Sequence, residues 1–491
     1  MLFTEPLARK ELRPYQRKGL DMVFESLGKG NPSVIMQASV GAGKTLMAAN
    51  LTNHFLGQGK KVMFTVPLIA LVDQTIESFE AEGITDIGVM QGNHPRKDDN
   101  AQVQIASLQT LRKRQIPNVD VVIVDEAHLR HTVMDKMMEE AGDTKFIGLS
   151  ATPWATGLGK LWKDLVIPCT VSELIDQGYL CKFHVLAPDN PNMDNVKTSM
   201  GDYREADSAK VMSKARIVAN VVETWLSRAE NRPTLMFGVN RDHAKRICVE
   251  FMKYGVSAEY CDAMTDRLQR KSIERRFRSG EVKVVCSVRT LTTGVDWPVA
   301  CIIDAAPTKS QMLHMQKIGR GLRVNPPWED CLILDHAGNS FRLGLVTDIH
   351  YDKLCDGTKN VTERRKEIKV REPKECVKCG VLHTGMICTA CGHEKKPPNR
   401  VEVIQGKLVP LTSMPAIHND EKKRFWGMAL WIDRDRRKDR KLAFALFKQK
   451  FNCWPDNEVQ KAEIITPDAA FMNWEKARRI AYAKAMQAKG R

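Results

Sequence analysis

Nowhere in the 491 residues is there an apolar stretch approaching the roughly 20 residues that a membrane-spanning helix needs; the apolar runs are strand-sized, such as VVIV at 121–124. A membrane partner is therefore not expected. The first sixteen residues, MLFTEPLARKELRPYQ, put charges where a signal peptide keeps its apolar centre. The expected compartment is the cytoplasm, nucleoid-associated, or the host cytoplasm for a virus-encoded chain. Thirteen cysteines are too sparse for a disulfide scaffold in a chain this long. Nine of them are scattered and expected to be reduced, buried small residues. No internal sequence repeat and no separate carboxylate-rich nuclease constellation is evident, though a partner subunit could supply a nuclease or loading function. Acidic residues are in deficit: the formal net charge is +16, and residues 351–491 hold 31 Lys/Arg against 18 Asp/Glu. An anionic partner held with help from the C-terminal part is the functional reading; a merely soluble basic surface is the plain one.

What is present is 43% apolar and 27% charged, as in soluble globular proteins, in a length that suits about three domains. Over the first 170 residues, PSVIMQAS, KKVMFTVP, VQIAS, VVIVDEAH and KFIGLSAT read as buried strands, with amphipathic helices such as LIALVDQTIESFEAEG between them. That alternation predicts a mainly parallel sheet covered on both faces, with ligands at the carboxyl ends of its strands. A second α/β unit begins near LCKFHVLAP (180–188). Residues 189–210 read as an excursion, followed by a long helix over about 211–228, and then by PTLMFGVN, VSAEYC, VKVVCSV, ACIIDAAP and CLILDHAG as strands. The expected domains are 1–175, 176–350, a linker and zinc-binding module over 351–400, and a basic, mainly helical C-terminal region over 401–491.

Ala38-Ser39-Val40-Gly41-Ala42-Gly43-Lys44-Thr45 follows a strand and opens a helix. A Gly-rich loop there exposes successive backbone N–H groups beside the orphan donors of a helix N-terminus, which suits the phosphates of ATP. Lys44 would reach the β/γ-phosphates and the Thr45 hydroxyl would ligate Mg²⁺. Ala38 stands where the strict motif has Gly, a mild departure. Asp125, just past a strand, can hold Mg²⁺, and Glu126 can orient or deprotonate the attacking water. His128 reads as either a surface histidine or a coupling residue; Ser150 and Thr152 either sense the γ-phosphate region or cap the next segment. Arg320 and Arg323 share a helix face, from which guanidinium groups can stabilise charge on a transferring phosphoryl group.

Taken together these segments closely resemble the superfamily 2 helicases of the DEAH-box or DExH type. Gln16 in LRPYQ resembles their adenine-recognising glutamine, ASVGAGKT (38–45) their first motif, DEAH (125–128) the second and SAT (150–152) the third. VPLIALVDQT (66–75) and IASLQTL (105–111) match strand-tracking motifs; TLMFGVNRDHAKRI (234–247), VRTLTTGVDWP (288–298) and QKIGRGLR (316–323) resemble the fourth to sixth. The likeness covers roughly residues 10–340. It implies two tandem RecA-like domains with ATP between them, Gly294 and Asp296 in nucleotide sensing, and Gln316 in coupling cleft closure to hydrolysis. Around Pro67, Ser107, Thr110, Asn240, Thr290 and Thr292, amides and hydroxyls are expected to hold backbone phosphates without reading bases. The partner expected is DNA, single-stranded, forked or branched, with RNA as the alternative.

Cys376-x₂-Cys379 and Cys388-x₂-Cys391 can turn four thiolates toward one ion, the donor set of a closed structural Zn²⁺ site. Gly380 and Gly392 follow the pairs as tight knuckles require, and His383 and His393 are unnecessary as ligands. In the tail, Trp426, Trp431, Phe444, Phe447, Phe451 and Trp454 lie among basic residues. They either stack on unpaired bases or, at helical spacing, form a core, and the core reading is preferred.

Overall fold

The β-branched runs form strands with hardly any exposed residue, because helices cover both faces of the sheet they enter. Seven strands make the first sheet: β1 (Ser33–Gln37), β2 (Val62–Val66), β3 (Ile87–Met90), β4 (Val103–Ser107), β5 (Val121–Asp125), β6 (Lys145–Ser150) and β7 (Asp164–Val166). Their order is β3-β4-β2-β5-β6-β1-β7, and each neighbouring pair is parallel. β3 and β7 are additional to the strands read from the sequence; they are short, and β3 carries a glycine.

The second sheet uses β8 (Lys182–Leu186), then, after a small antiparallel pair β9 (Thr198–Ser199) and β10 (Asp202–Tyr203), β11 (Thr234–Phe237), β12 (Ala258–Cys261), β13 (Val284–Ser287), β14 (Cys301–Asp304) and β15 (Asp330–Asp335). β16 (Lys374–Glu375) and β17 (Leu382–His383) complete it in the order β12-β13-β11-β14-β15-β8-β17-β16. All pairs from β12 to β8 are parallel; β17 joins β8, and β16 joins β17, antiparallel. The cysteine module is thus an extension of the second sheet. The long helix expected over 211–228 is two, Glu205–Met212 and Ala215–Arg228, separated where Lys214 adopts extended backbone.

The structure, a computed structural model, describes residues 10–92, 94–112, 116–187, 191–199, 201–292, 296–358, 372–394, 417–435, 439–451, 454–469, 471–476 and 479. It divides into two compact units, Met1–Lys396 and Pro397–Arg491. Both sheets lie in the first. In the second, helices Ile417–Asp435 and Lys441–Phe451 pack around Trp426, Phe447 and Ala429. Asp433 is buried and accepts hydrogen bonds from the N–H groups of Arg440 and Ala443, 2.7 Å each, which fixes the turn between the helices. Trp426 and Phe447 are core, and Phe444 and Phe451 pack against them, whereas Trp431 and Trp454 are exposed, so the core reading holds for four of the six aromatics. No helix among the described residues is long and apolar enough to cross a membrane. The eight described cysteines outside the module are buried thiols.

Candidate nucleotide site and metal centre

β5, β6 and β1 are neighbours, so the loops leaving their carboxyl ends converge: DEAH from β5, SAT from β6 and the Gly-rich loop from β1. A crevice at that edge is where parallel sheets bind ligands. Gly41 and Gly43 adopt φ of +84° and +78°, a backbone region costly for any residue with a Cβ. Gly43 is further constrained, since a Cβ there would lie 2.5 Å from Gln16 Nε2. Gln16 is held from both ends, accepting from the Arg13 N–H (2.9 Å) and donating to the Ala42 carbonyl (2.9 Å). Tyr15, to which sequence reasoning gave no role, donates its hydroxyl to the same carbonyl at 3.0 Å. Its position beside Gln16 in LRPYQ was the only signal.

Lys44 opens helix Lys44–Leu56 and reaches across the crevice to Glu126 Oε1 at 3.4 Å. Glu126 itself has φ of +50°, a strained conformation that sets its carboxylate between Lys44 and His128, whose Nδ1 is 3.4 Å from Oε2. Burial would raise the Glu126 carboxyl, but Lys44, with His128 and Arg320, outweighs it and holds the group below its ordinary value. Burial, reinforced by the charge of Glu126, pushes Asp125 the other way, up to about 6. Two adjacent carboxylates are thereby set apart: one ionised beside a lysine, the other short of positive charge. Asp125 and the Thr45 hydroxyl offer the hard oxygen donors Mg²⁺ takes, and a dication is what the under-compensated Asp125 would favour.

His128 is buried, which lowers its pKa and keeps it neutral. The neutral tautomer that satisfies its surroundings carries the hydrogen on Nδ1, facing Ser150 Oγ at 2.9 Å, while Nε2 accepts from the Gln316 amide at 3.1 Å. Ser150 Oγ also accepts from the Thr152 N–H at 3.1 Å. The expected coupling residues therefore form one chain of hydrogen bonds running from the first sheet's edge into helix Gln311–Gly319 of the second lobe.

That helix closes onto the Gly-rich loop. A Cβ on Gly319 would come within 2.7 Å of Val40, and the Arg323 side chain packs over Gly41. Arg320 is buried, and burial with the neighbouring Arg323 lowers its pKa to about 10, still charged at neutral pH, with Glu126 acting in the opposite sense. Arg323 pairs with Asp296 at 2.8 Å. The helix ends at Gly319, with Arg320 as its cap and Arg323 in a β-bridge beyond it, so the two arginines do not share a helix face as expected; they are brought together because residues before β8 latch this segment, the Cys181 N–H donating to the Leu322 carbonyl at 2.9 Å and Leu180 bridging to Arg323. Beneath the helix, Lys317 and Asp304 form a buried ion pair, also unassigned by sequence reasoning. The assembly can hold a triphosphate between backbone donors, Lys44 and two guanidinium groups, with a carboxylate at hand for a water nucleophile.

Ser107, Asn240, Thr290 and Thr292 lie at or just beyond the carboxyl ends of β4, β11 and β13, with Pro67 beyond β2. Ser107 Oγ caps a short helix through the Thr110 N–H, and Asn240 caps Arg241–Lys253. Thr290 and Thr292 donate their hydroxyls to the Val288 and Arg289 carbonyls. The Thr290 and Thr292 hydroxyls are committed within the chain, whereas Asn240 uses only its Oδ1 in the cap and keeps its Nδ2 as a donor for a phosphate. Gly294 lies outside the described residues.

The four cysteine sulfurs all lie within 4.8 Å of one another. Cys376 to Cys391 is 3.7 Å and Cys379 to Cys388 is 3.6 Å. Tetrahedral zinc–thiolate bonds separate sulfurs by about 3.8 Å. The two knuckles repeat one geometry: Gly380 and Gly392 have φ of +76° and +66°, and their N–H groups donate to the Cys376 and Cys388 carbonyls at 2.8 and 2.9 Å. His383 instead pairs with Lys374 across β16–β17.

A family model described as "Type III restriction enzyme, res subunit" matches residues 9–155, and one described as "Helicase conserved C-terminal domain" matches residues 213–325. The chain contains a superfamily 2, DEAH/DExH-like helicase core, carrying helicase ATPase motifs, with a four-cysteine cluster C-terminal to it that is able to chelate a metal. It is 27% identical over 364 residues to IRC3 of Saccharomyces cerevisiae, named as an ATP-dependent helicase, an alignment spanning 68% of this chain and 52% of that protein. It is 24% identical to the 51.5 kDa protein of a Lactococcus phage (isolate 7-9), over 73% of this chain and 78% of that one. Among solved structures it shares a fold with the ATP-dependent Type ISP restriction-modification enzyme LlaBIII bound to DNA, at TM-score 0.51 and 16% identity, covering 66% of this chain and 28% of that one. The chain thus spans about half the length of IRC3, 52%.

Proposed function

We propose that this chain is an ATP-dependent DNA helicase or branched-DNA remodeller, coupling ATP hydrolysis between two RecA-like lobes to translocation along one strand and to strand separation. The observation that carries this reading is the meeting of Lys44, Glu126 and Arg320, drawn from both lobes, at one crevice. DNA is assigned as the track because the restriction enzyme sharing this fold is a DNA-bound one and the last third of the chain is strongly basic.

In the mechanism, the amides of residues 39–45 and Lys44 hold the triphosphate, and Gln16 flanks the adenine. Thr45 and Asp125 would hold Mg²⁺, which supplies charge compensation on the phosphate oxygens when bound. Glu126, kept ionised by Lys44, orients the attacking water and accepts its proton. Arg320 and Arg323 stabilise the charge that develops on the transferring phosphoryl group, a contribution of about 10³- to 10⁵-fold in related phosphoryl transfer. The Glu126–His128–Gln316 chain reports the state of the crevice to helix Gln311–Gly319, so the lobes close before hydrolysis and part after it. The cysteine module holds a structural Zn²⁺.

Lys44→Ala and Glu126→Gln should each abolish nucleic-acid-stimulated ATP turnover while leaving the far-ultraviolet circular dichroism spectrum intact. Full turnover retained by both would overturn the assignment. Comparing stimulation and strand separation on single-stranded DNA, forked DNA, replication-fork junctions and matched RNA identifies the track.

A further inference from the structure

Between β8 and helix Ala215–Arg228 the second lobe carries the hairpin β9–β10 and helix Glu205–Met212, a segment the helicase motifs do not include. Asp202 docks it: one carboxylate oxygen accepts from the Thr308 hydroxyl at 2.6 Å and the other from the Lys309 N–H at 2.7 Å. The docked segment walls a shallow cleft open to solvent, whose opposite side is formed by Gly238, Val239, Arg289 and Thr292 of the fourth and fifth motifs. Three features of that cleft are unexplained by packing.

The half-buried Tyr203 ring has two cations against it, Lys309 Nζ at 4.9 Å and Arg342 at 5.8 Å from its centroid. Arg342 is held within the chain, its Nη2 donating to the Ala337 carbonyl and to Asn339 Oδ1, whereas Lys309 and the exposed Arg289 form no ion pair among the described residues. The Ser208 hydroxyl, 2% exposed and lining the cleft, has no hydrogen-bond partner, and neither has Arg342 Nε. Buried polar atoms of that kind are rare without a ligand or water to satisfy them. Arg289 is held at φ of +54°, backbone strain that in folded proteins collects at ligand clamps. An aromatic face, the exposed Arg289 and an unsatisfied hydroxyl line one cleft, with Lys309 behind the ring and Glu205 the one exposed carboxylate in the lining; together they match the chemistry of an unpaired nucleobase with a flanking phosphate on the Arg289 side. Stacking on a base outweighs an exposed cation–π contact, so Lys309 would yield the ring and take a phosphate.

We propose that Asp202–Tyr203 and helix Glu205–Met212 form the base-binding wall of the single-strand path in the second lobe, with Tyr203 stacking on an unpaired base, Arg289 and Lys309 holding the adjoining phosphates, and Ser208 hydrogen-bonding the bound nucleotide. This rests on the reading that the chain grips a single strand, and assigns that grip a contact to bases as well as backbone.

The test measures equilibrium binding of the full chain to a short oligodeoxythymidylate and to the same strand carrying abasic positions. Wild type should bind the intact strand about 5- to 150-fold more tightly than the abasic one, the range for stacking one base. Tyr203→Ala should lose affinity for the intact strand by that factor and cease to distinguish the two, while Tyr203→Trp should restore the preference. Quenching of a 2-aminopurine base in the strand should appear with wild type and Tyr203→Trp and vanish with Tyr203→Ala. Equal losses on both strands for Tyr203→Ala, or wild type indifferent to abasic positions, would overturn the proposal while leaving the motor reading intact. Failure of wild type to bind any single strand would overturn both. Repeating the titration with oligouridylate shows whether the wall takes RNA equally.

Discussion

Lys317→Met isolates the ion pair beneath helix Gln311–Gly319. Lys317 is 2% exposed and Asp304 fully buried, with Nζ to Oδ1 at 2.5 Å. Burial alone would raise the Asp304 carboxyl, but Lys317, and then His314, hold it well below the usual carboxylate range. Removing one partner of such a pair strands the other charge, which typically costs about 3–5 kcal/mol. The low end is expected here, because Asp304 keeps the Asn339 amide as a donor at 2.8 Å. At about 2–4 °C per kcal/mol for a lobe of this size, the second-lobe transition should fall by ~6–12 °C. Because the native carboxylate is depressed, its contribution in wild type is present above the unfolded pKa and is lost only as pH falls through the folded value, below the ordinary range. In the variant the stranded carboxyl titrates higher, so the deficit should shrink on acidification. Asp304→Asn/Lys317→Met should recover most of the loss, since an uncharged pair removes the stranded charge. Differential scanning calorimetry of the full chain at two pH values measures all three quantities. A single variant melting within about 2 °C of wild type, or a double variant no better than the single, would refute the reasoning.

Two further outcomes follow from the site geometry. Asp125 is raised to about 6, so in the metal-free protein folding stability should fall as pH rises from its unfolded value through about 6; Mg²⁺, which needs the ionised form, should bind progressively more weakly below that pH, as titrations of Mg²⁺-dependent nucleotide binding at pH 5 and 8 would reveal. Cys388→Ser should reduce bound zinc from one equivalent by elemental analysis and, because β17 pairs with β8, should speed amide exchange at Lys182–Leu186; unchanged exchange would show that the module does not brace that strand.

The parallel strands were legible because burial on both faces demands nearly continuous apolar runs, and β1, β2, β4, β5 and β6 have them. β7 has only three residues, two of them half-buried, and in β3 Gly88 interrupts the apolar run. The hairpin at Thr198–Tyr203 was hidden for a different reason: its stability comes from Asp202 bonding to a loop more than 100 residues away. The tail shows the same division. Helical spacing marked six aromatics as equivalent, and packing distinguished buried Trp426 and Phe447 from exposed Trp431 and Trp454.

Residue type and local order were enough to mark the candidate groups: a Gly-rich loop ahead of Lys44-Thr45, an acidic pair after a strand, two arginines three residues apart, four cysteines in two knuckles. Each is a short segment whose function depends on backbone conformation and side-chain identity within a few residues. Folding decided which of these meet. Sheet order brought β5, β6 and β1 side by side, Gly319 let the second lobe's helix touch the Gly-rich loop, and pairing of β17 with β8 joined the cysteine module to the second sheet. Such long-range contacts arise from complementary surfaces formed only after the elements exist, and no local pattern encodes them.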